Sequence, residues 1–162
     1  VGLIAAEEMK TALPDIAGQK GRLAMPVRGQ LLRLKDEADA AGVVRPGIVL
    51  ATRPRALVTA PTTATIRYLG PLLDYGQVLI LEPQKDTLFV LAGLAQVYGK
   101  IGQVVPAGSP LGLMGGQTQQ LDAILSQSRD GTGIDRTETL YIEVRQGDTP
   151  VDPLDWFTSQ KD

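Results

Sequence analysis

From residue 23 onward, short runs rich in Val, Leu and Ile recur between turn signals, and this rhythm constrains the fold more than any other feature. Gly29, Pro46 with Gly47, Pro61, Gly70 with Pro71, Gly76 and Pro83 punctuate the runs. Runs this short, rich in β-branched residues and bounded by Gly and Pro, read as strands and not as helices. Strands are expected at about 24–28, 30–34, 47–51, 56–60, 64–69, 77–82, 87–92 and 139–145. QVLILE (77–82) is apolar on both faces apart from its ends, which predicts a central strand. In TLYIEVR (139–145), Leu140, Ile142 and Val144 alternate with Tyr141, Glu143 and Arg145. Side chains point to opposite faces with a period of two, so the first set faces a core and the second an exposed or groove-lining face.

Two segments break the rhythm. Residues 35–45 form a charged loop, and residues 117–138 read as an insertion whose LDAILSQS stretch suits two helical turns. The insertion enters the chain just before the Tyr141 strand and is expected near the face that strand presents. Ahead of the strands, residues 2–13 read as a helix ended by Pro14, which has no N–H to continue it. Residues 15–22 read as a linker. The division expected is therefore 1–20 as N-terminal helix and linker, the trailing end of an upstream coiled-coil region, and 21–162 as one mainly β domain.

Composition narrows the chemistry. The chain has 162 residues, no Cys and no His. Absence of Cys removes disulfides, thiolate metal sites and a cysteine nucleophile. Absence of His removes the commonest general base near neutral pH and the commonest metal ligand. Zinc would then depend on carboxylates alone, an unusual set for that ion, and a Ser-His-Asp triad is impossible. A net charge of −2 offers no basic excess for nucleic acid. No apolar run approaches the ~20 residues of a membrane span. The chain starts at Val1 with no signal peptide and reads as a fragment, so its start says nothing about compartment.

Five segments occur in one order: MPVRGQLL, RPGIVLA, ALVTAPTTATIRYLGPLLDYGQVLILE, GQVVPAGSPLGLMG and LYIEVRQGDTPVDPLDWF. Over about residues 21–157 this set resembles the LytM (lysostaphin-type) metallopeptidase domain, and within it the EnvC-like murein hydrolase activators. The fold implied is a curved antiparallel β-sheet of barrel-sandwich type with one or two short helices. Active members hold zinc through an H-x-G-x-D element and the second His of an H-x-H element, with two further His residues for proton transfer. Here the first element reads Arg45-Pro46-Gly47-Ile48-Val49, so Arg45 and Val49 stand at ligand positions. Thr139 and Tyr141 stand where H-x-H would be, and Gly93 stands at the isolated His. Gly47, Gly76, Gly108, Pro153 and Trp156 remain as fold markers, Trp156 reading as a plug at the end of the domain. The resemblance thus implies a degenerate peptidase domain with no catalytic residues, no metal and no cofactor.

It also implies a role. EnvC-like proteins are periplasmic and act at the division septum, where a degenerate groove captures the helix that plugs a zinc-dependent N-acetylmuramoyl-L-alanine amidase. Their upstream coiled coil couples them to a membrane division complex. In this sequence the partner-binding groove is expected to comprise Arg45, Val49, Tyr75, Val78, Tyr141 and Arg145. Val49 and Tyr141 would make an apolar floor, Arg145 would grip a carboxylate, and Tyr75 and Val78 would flank them. Three rivals stand beside this reading. One is a passive peptidoglycan-binding module. A second is an endopeptidase with an unusual metal site. The third is a biotinyl- or lipoyl-type carrier modified at Lys85.

Overall fold

The computed structural model describes residues 16–72, 74–116 and 136–158. The expected helix over 2–13 and residues 117–135 of the expected insertion lie outside the described residues. Eleven strands are described: β1 (Gln30–Arg33), β2 (Ile48–Thr52), β3 (Leu57–Thr59), β4 (Ala64–Leu72), β5 (Gly76–Gln84), β6 (Thr87–Leu94), β7 (Gln96–Val97), β8 (Val104–Val105), β9 (Pro110–Leu113), β10 (Glu138–Gln146) and β11 (Thr149–Val151). Eight build a large sheet in the order β1-β2-β10-β6-β5-β4-β8, with β11 on β10, and β3-β9-β7 build a small one. Every pairing between these strands is antiparallel. The only helical pieces among the described residues are two 3-10 turns, Ala17–Gln19 and Pro153–Asp155. The fold is mainly β, as its turn-punctuated sequence predicts.

The core forms where the two sheets contribute aliphatic faces. Leu50, Leu140, Ile142, Leu79, Leu81 and Leu91 come from the large sheet, and Val58 and Leu111 from the small one. Strand β5 lies between β4 and β6, inside the sheet, as its two apolar faces require. Tight turns set the register. Gln84 pairs with Thr87 across a two-residue connection in which Asp86 takes φ 65, a left-handed conformation that Asp tolerates. The chain end closes the domain: Trp156 and Phe157 pack on Phe89, with ring centroids 6.3 and 5.4 Å away. Leu23 N–H donates to Trp156 O (3.2 Å), and Thr158 N–H donates to Leu23 O (2.8 Å).

The expected strand at 24–28 is irregular chain. Pro26 has no N–H for a ladder, and its carbonyl instead accepts from Thr59 N–H at 2.7 Å. Strands β7, β8, β9 and β11 were absent from the expectation. They are two to four residues long, too short to show a period.

Candidate functional site

The outer face of the large sheet assembles the candidate residues by register. Val49 on β2 sits opposite Tyr141 on β10, Tyr141 opposite Ala92 on β6, and Ala92 opposite Val78 on β5. One row along, Glu143 faces Val90, and Val90 faces Ile80. Directly opposed residues in antiparallel strands share a face at ~4.5–5.5 Å between Cβ atoms, so these side chains form one continuous surface. Val49 and Tyr141 are half-buried there, whereas Val78 is 1 % exposed and serves as floor.

Polar groups on this face are linked in series. The Tyr141 hydroxyl donates to Glu143 Oε1 at 2.7 Å. Arg145 Nη1 donates to Glu143 Oε2 at 2.6 Å, and its Nη2 donates to Asp148 O at 3.1 Å. Tyr–x–Glu–x–Arg on a strand puts all three on one face, which makes this pairing possible. Burial, reinforced by the hydrogen bond to Glu143, pushes the Tyr141 phenol well above its ordinary range. At neutral pH the phenol keeps its proton and acts as a donor, not as a base or nucleophile.

The aromatic part is stacked as well as bonded. A Cβ at Gly47 would lie 2.6 Å from Tyr141 Cζ and would collide with the Ile142 carbonyl, so only glycine lets the ring settle there. Tyr75 meets Tyr141 with ring centroids 6.4 Å apart and a tilt of 46°. The Arg45 guanidinium lies 5.3 Å from the Tyr75 ring centre, within cation–π range. Arg45 reaches it from the loop 35–45, which is tied by its own bonds. Asp39 Oδ1 accepts from the Ala41 and Val43 N–H groups at 2.8 and 2.9 Å, and Asp36 N–H donates to Arg45 O at 2.9 Å. The bond from Val43 chiefly holds the Asp39 carboxyl below its usual value. Between Leu72, Tyr75, Val78, Val90 and Tyr141 remains an apolar hollow of about 200 Å³ with Glu143 at its wall.

Gly93 and Thr139 complete the set. Gly93 takes φ +107 at a β-bulge, where β5–β6 pairing steps from Gln77–Leu94 to Val78–Ala92. A Cβ there would lie 2.7 Å from the Thr139 carbonyl oxygen. Any side chain at Gly93 is therefore strained by both its backbone conformation and its neighbour. Thr139 is exposed, opposite Ala51. The expected positions lie on β2, β10, β6, β5, the loop before β2 and, for Tyr75, the turn before β5. Sequence reasoning put Glu143 on the face of Tyr141 and Arg145 without counting it among the groove residues, and it did not place the apolar Leu72, Val90 and Ala92 there. The i, i+2 spacing around Glu143 was the available signal.

A catalytic zinc site needs three His, Cys or carboxylate ligands around one open position. Val49 has no donor atom, Arg45 is a cation, and the Tyr141 oxygen spends its proton on Glu143. Among the described residues no group of three or more His, Cys, Asp or Glu could hold a metal ion. The side chains at this site do not fit zinc.

Comparison with known proteins bears on the fold and the family. An uncharacterized protein of Neisseria meningitidis serogroup B is 25% identical over 95% of this chain and 24% of its own length. A second relative, an uncharacterized protein of Haemophilus influenzae, is 23% identical over 92% of the chain and 33% of its own length. The chain thus spans about a quarter to a third of these curated relatives. Among solved structures, a zinc-containing peptidase from Vibrio cholerae superposes with a TM-score of 0.63 at 19% identity, over 86% of this chain and 41% of that one. A chain of the SpoIIQ–SpoIIIAH pore-forming complex superposes equally well, with a TM-score of 0.63 at 19% identity, over 86% of this chain and 92% of that one. The fold is therefore shared by a zinc peptidase and by a component of an assembly. Residues 43–153, which carry the whole groove from Arg45 to Arg145, match peptidase family M23, and this chain belongs to that family.

Proposed function

We propose that this domain is a non-catalytic activator of a septal N-acetylmuramoyl-L-alanine amidase, acting in the periplasm during cell division. Its vestigial groove takes the regulatory helix that otherwise blocks the amidase. The observation that carries this reading is the refilling of the former metal site. Tyr141 lies on Gly47, its hydroxyl is held by Glu143, and an apolar hollow opens beside it.

Such a surface suits a helix. A hollow of about 200 Å³ accepts one large apolar side chain, the usual anchor of helix-in-groove recognition. Tyr and Arg at the centre of the surface are the residue types that dominate binding energy. Arg45 keeps its charge over the Tyr75 face, where it can meet an acidic residue of the helix. Arg145 is already paired with Glu143, so its part in this reading is to hold the floor in place. Coupling to a membrane division complex would fall to chain upstream of the domain.

The test is release of dye from labelled peptidoglycan by a septal amidase, with and without this domain. Wild type stimulates release, Tyr141→Ala does not, and the domain alone releases nothing. Release by the domain alone would overturn the non-catalytic reading. Failure to stimulate, with retention on insoluble peptidoglycan, would favour a passive wall-binding module.

A further inference from the structure

The hollow over β5, β6 and β10 is not wholly apolar. Val78, Val90 and Ala92 give it an aliphatic floor, Tyr75 and Tyr141 give it aromatic walls, and Glu143 lines it with a carboxylate. The two tyrosine rings lie 6.4 Å apart, centre to centre, and border the same space. The Glu143 side chain is 12% exposed. A carboxylate offers about four lone-pair positions. Among the described residues two donors reach it, the Tyr141 hydroxyl at 2.7 Å and Arg145 Nη1 at 2.6 Å. Glu143 therefore keeps acceptor capacity on the wall of the hollow.

That acceptor separates the possible occupants. An aliphatic anchor fills the volume but strips solvent from the carboxylate and returns no donor, which is costly for a charged group. An acidic tip would face Glu143 itself. A cationic tip returns donors, yet the Glu143 charge is already matched by Arg145, and a second guanidinium, Arg45, stands beside Tyr75. A neutral aromatic donor avoids all three conflicts. Its ring packs on the aliphatic floor between Tyr75 and Tyr141, and its O–H or N–H bonds the carboxylate. Tyr and Trp have this form, an apolar body with one polar handle.

We propose that the hollow selects an aromatic side chain carrying a hydrogen-bond donor, a phenol or an indole presented by the partner, and that Glu143 is the specificity-determining acceptor. The inference rests on the groove reading above and narrows the chemistry of its anchor.

The experiment uses p-cresol, toluene and benzylammonium as probes for a phenolic, a purely apolar and a cationic anchor. Each is titrated into the methyl-labelled chain, and the Val78, Val90 and Ala92 methyl shifts are followed. p-Cresol is expected to bind about tenfold more tightly than toluene, the effect of one hydrogen bond to a charged group. In Glu143→Leu the difference disappears, while toluene binds at least as well as to wild type. The wild-type ranking decides the question even if that variant folds poorly. Toluene binding as tightly as p-cresol, benzylammonium binding most tightly, or no p-cresol shift at these methyls would each overturn the proposal. Amidase stimulation is read separately. Its absence with the p-cresol preference intact removes activation and leaves this selectivity, and stimulation without the preference removes this inference alone.

Discussion

The two faces of β10 obey different rules. On one, Leu140, Ile142 and Val144 are 0 % exposed and packed into the core. On the other, Tyr141, Glu143 and Arg145 are half-buried and joined hydroxyl to carboxylate to guanidinium. The first face is governed by volume, since close-packed interiors respond to single methylene changes. The second is governed by pairing, since a half-buried polar group is costly only when its partner is missing. One strand can therefore hold a peptidase scaffold in place while its opposite face carries side chains unsuited to zinc. The period of two keeps the two requirements independent.

The largest break in this comparison should come from the core face. Ile142→Ala is expected to cost ~2–5 kcal/mol of stability through a cavity in the sheet interior. Thermal unfolding checks it, and a loss no greater than that of Glu143→Gln would contradict the division between faces. Gly47→Ala should come next, at ~1–3 kcal/mol, because the new methyl meets the Tyr141 ring and the Ile142 carbonyl. Near-ultraviolet circular dichroism should change with it, as the ring is displaced.

Tyr141→Phe should cost about 1 kcal/mol, removing the hydrogen bond to Glu143 while keeping the ring on Gly47. In the amidase assay Tyr141→Phe should retain more stimulation than Tyr141→Ala, since the apolar floor survives. The proton on Tyr141 gives a pH test of the same contact. Its folded-state value is raised above the ordinary 10.0, so its stabilising contribution is complete below that pH and is lost as pH rises through the folded value. Absorbance titration of the four tyrosines should show one that resists ionisation until the domain unfolds. The smallest effect is expected from Asp39→Ala, which frees the loop bearing Arg45 but touches no buried group. It should leave the melting temperature nearly unchanged and raise amide exchange at Val43.

Much of the fold was legible because strands of five or more residues carry their period openly. β5, β6 and β10 lie where the alternation and turn residues predict, and β10 turns its expected set of residues inward. The segment 24–28 misled because its apolar content resembles a strand while Pro26 denies it a ladder. The groove positions were expected from their order along the chain, and the i, i+2 spacing put Glu143 on the face of Tyr141 and within reach of Arg145. Sequence shows that Tyr141, Glu143 and Arg145 share a face, and rotamers decide which pairs form.

What the sequence determined by itself is chemical. With no His and no Cys, and with Arg45, Val49 and Tyr141 in place of a ligand set, it offers none of the usual zinc ligands at the family's positions. What only the tertiary structure decided is juxtaposition. The Tyr141 ring on Gly47, Arg45 over Tyr75, and Glu143 with Val78, Val90 and Ala92 around one hollow all join residues from separate elements. Composition and period act locally along the chain, whereas these contacts depend on strand order and register across the sheet. One step of register would turn every such side chain to the other face.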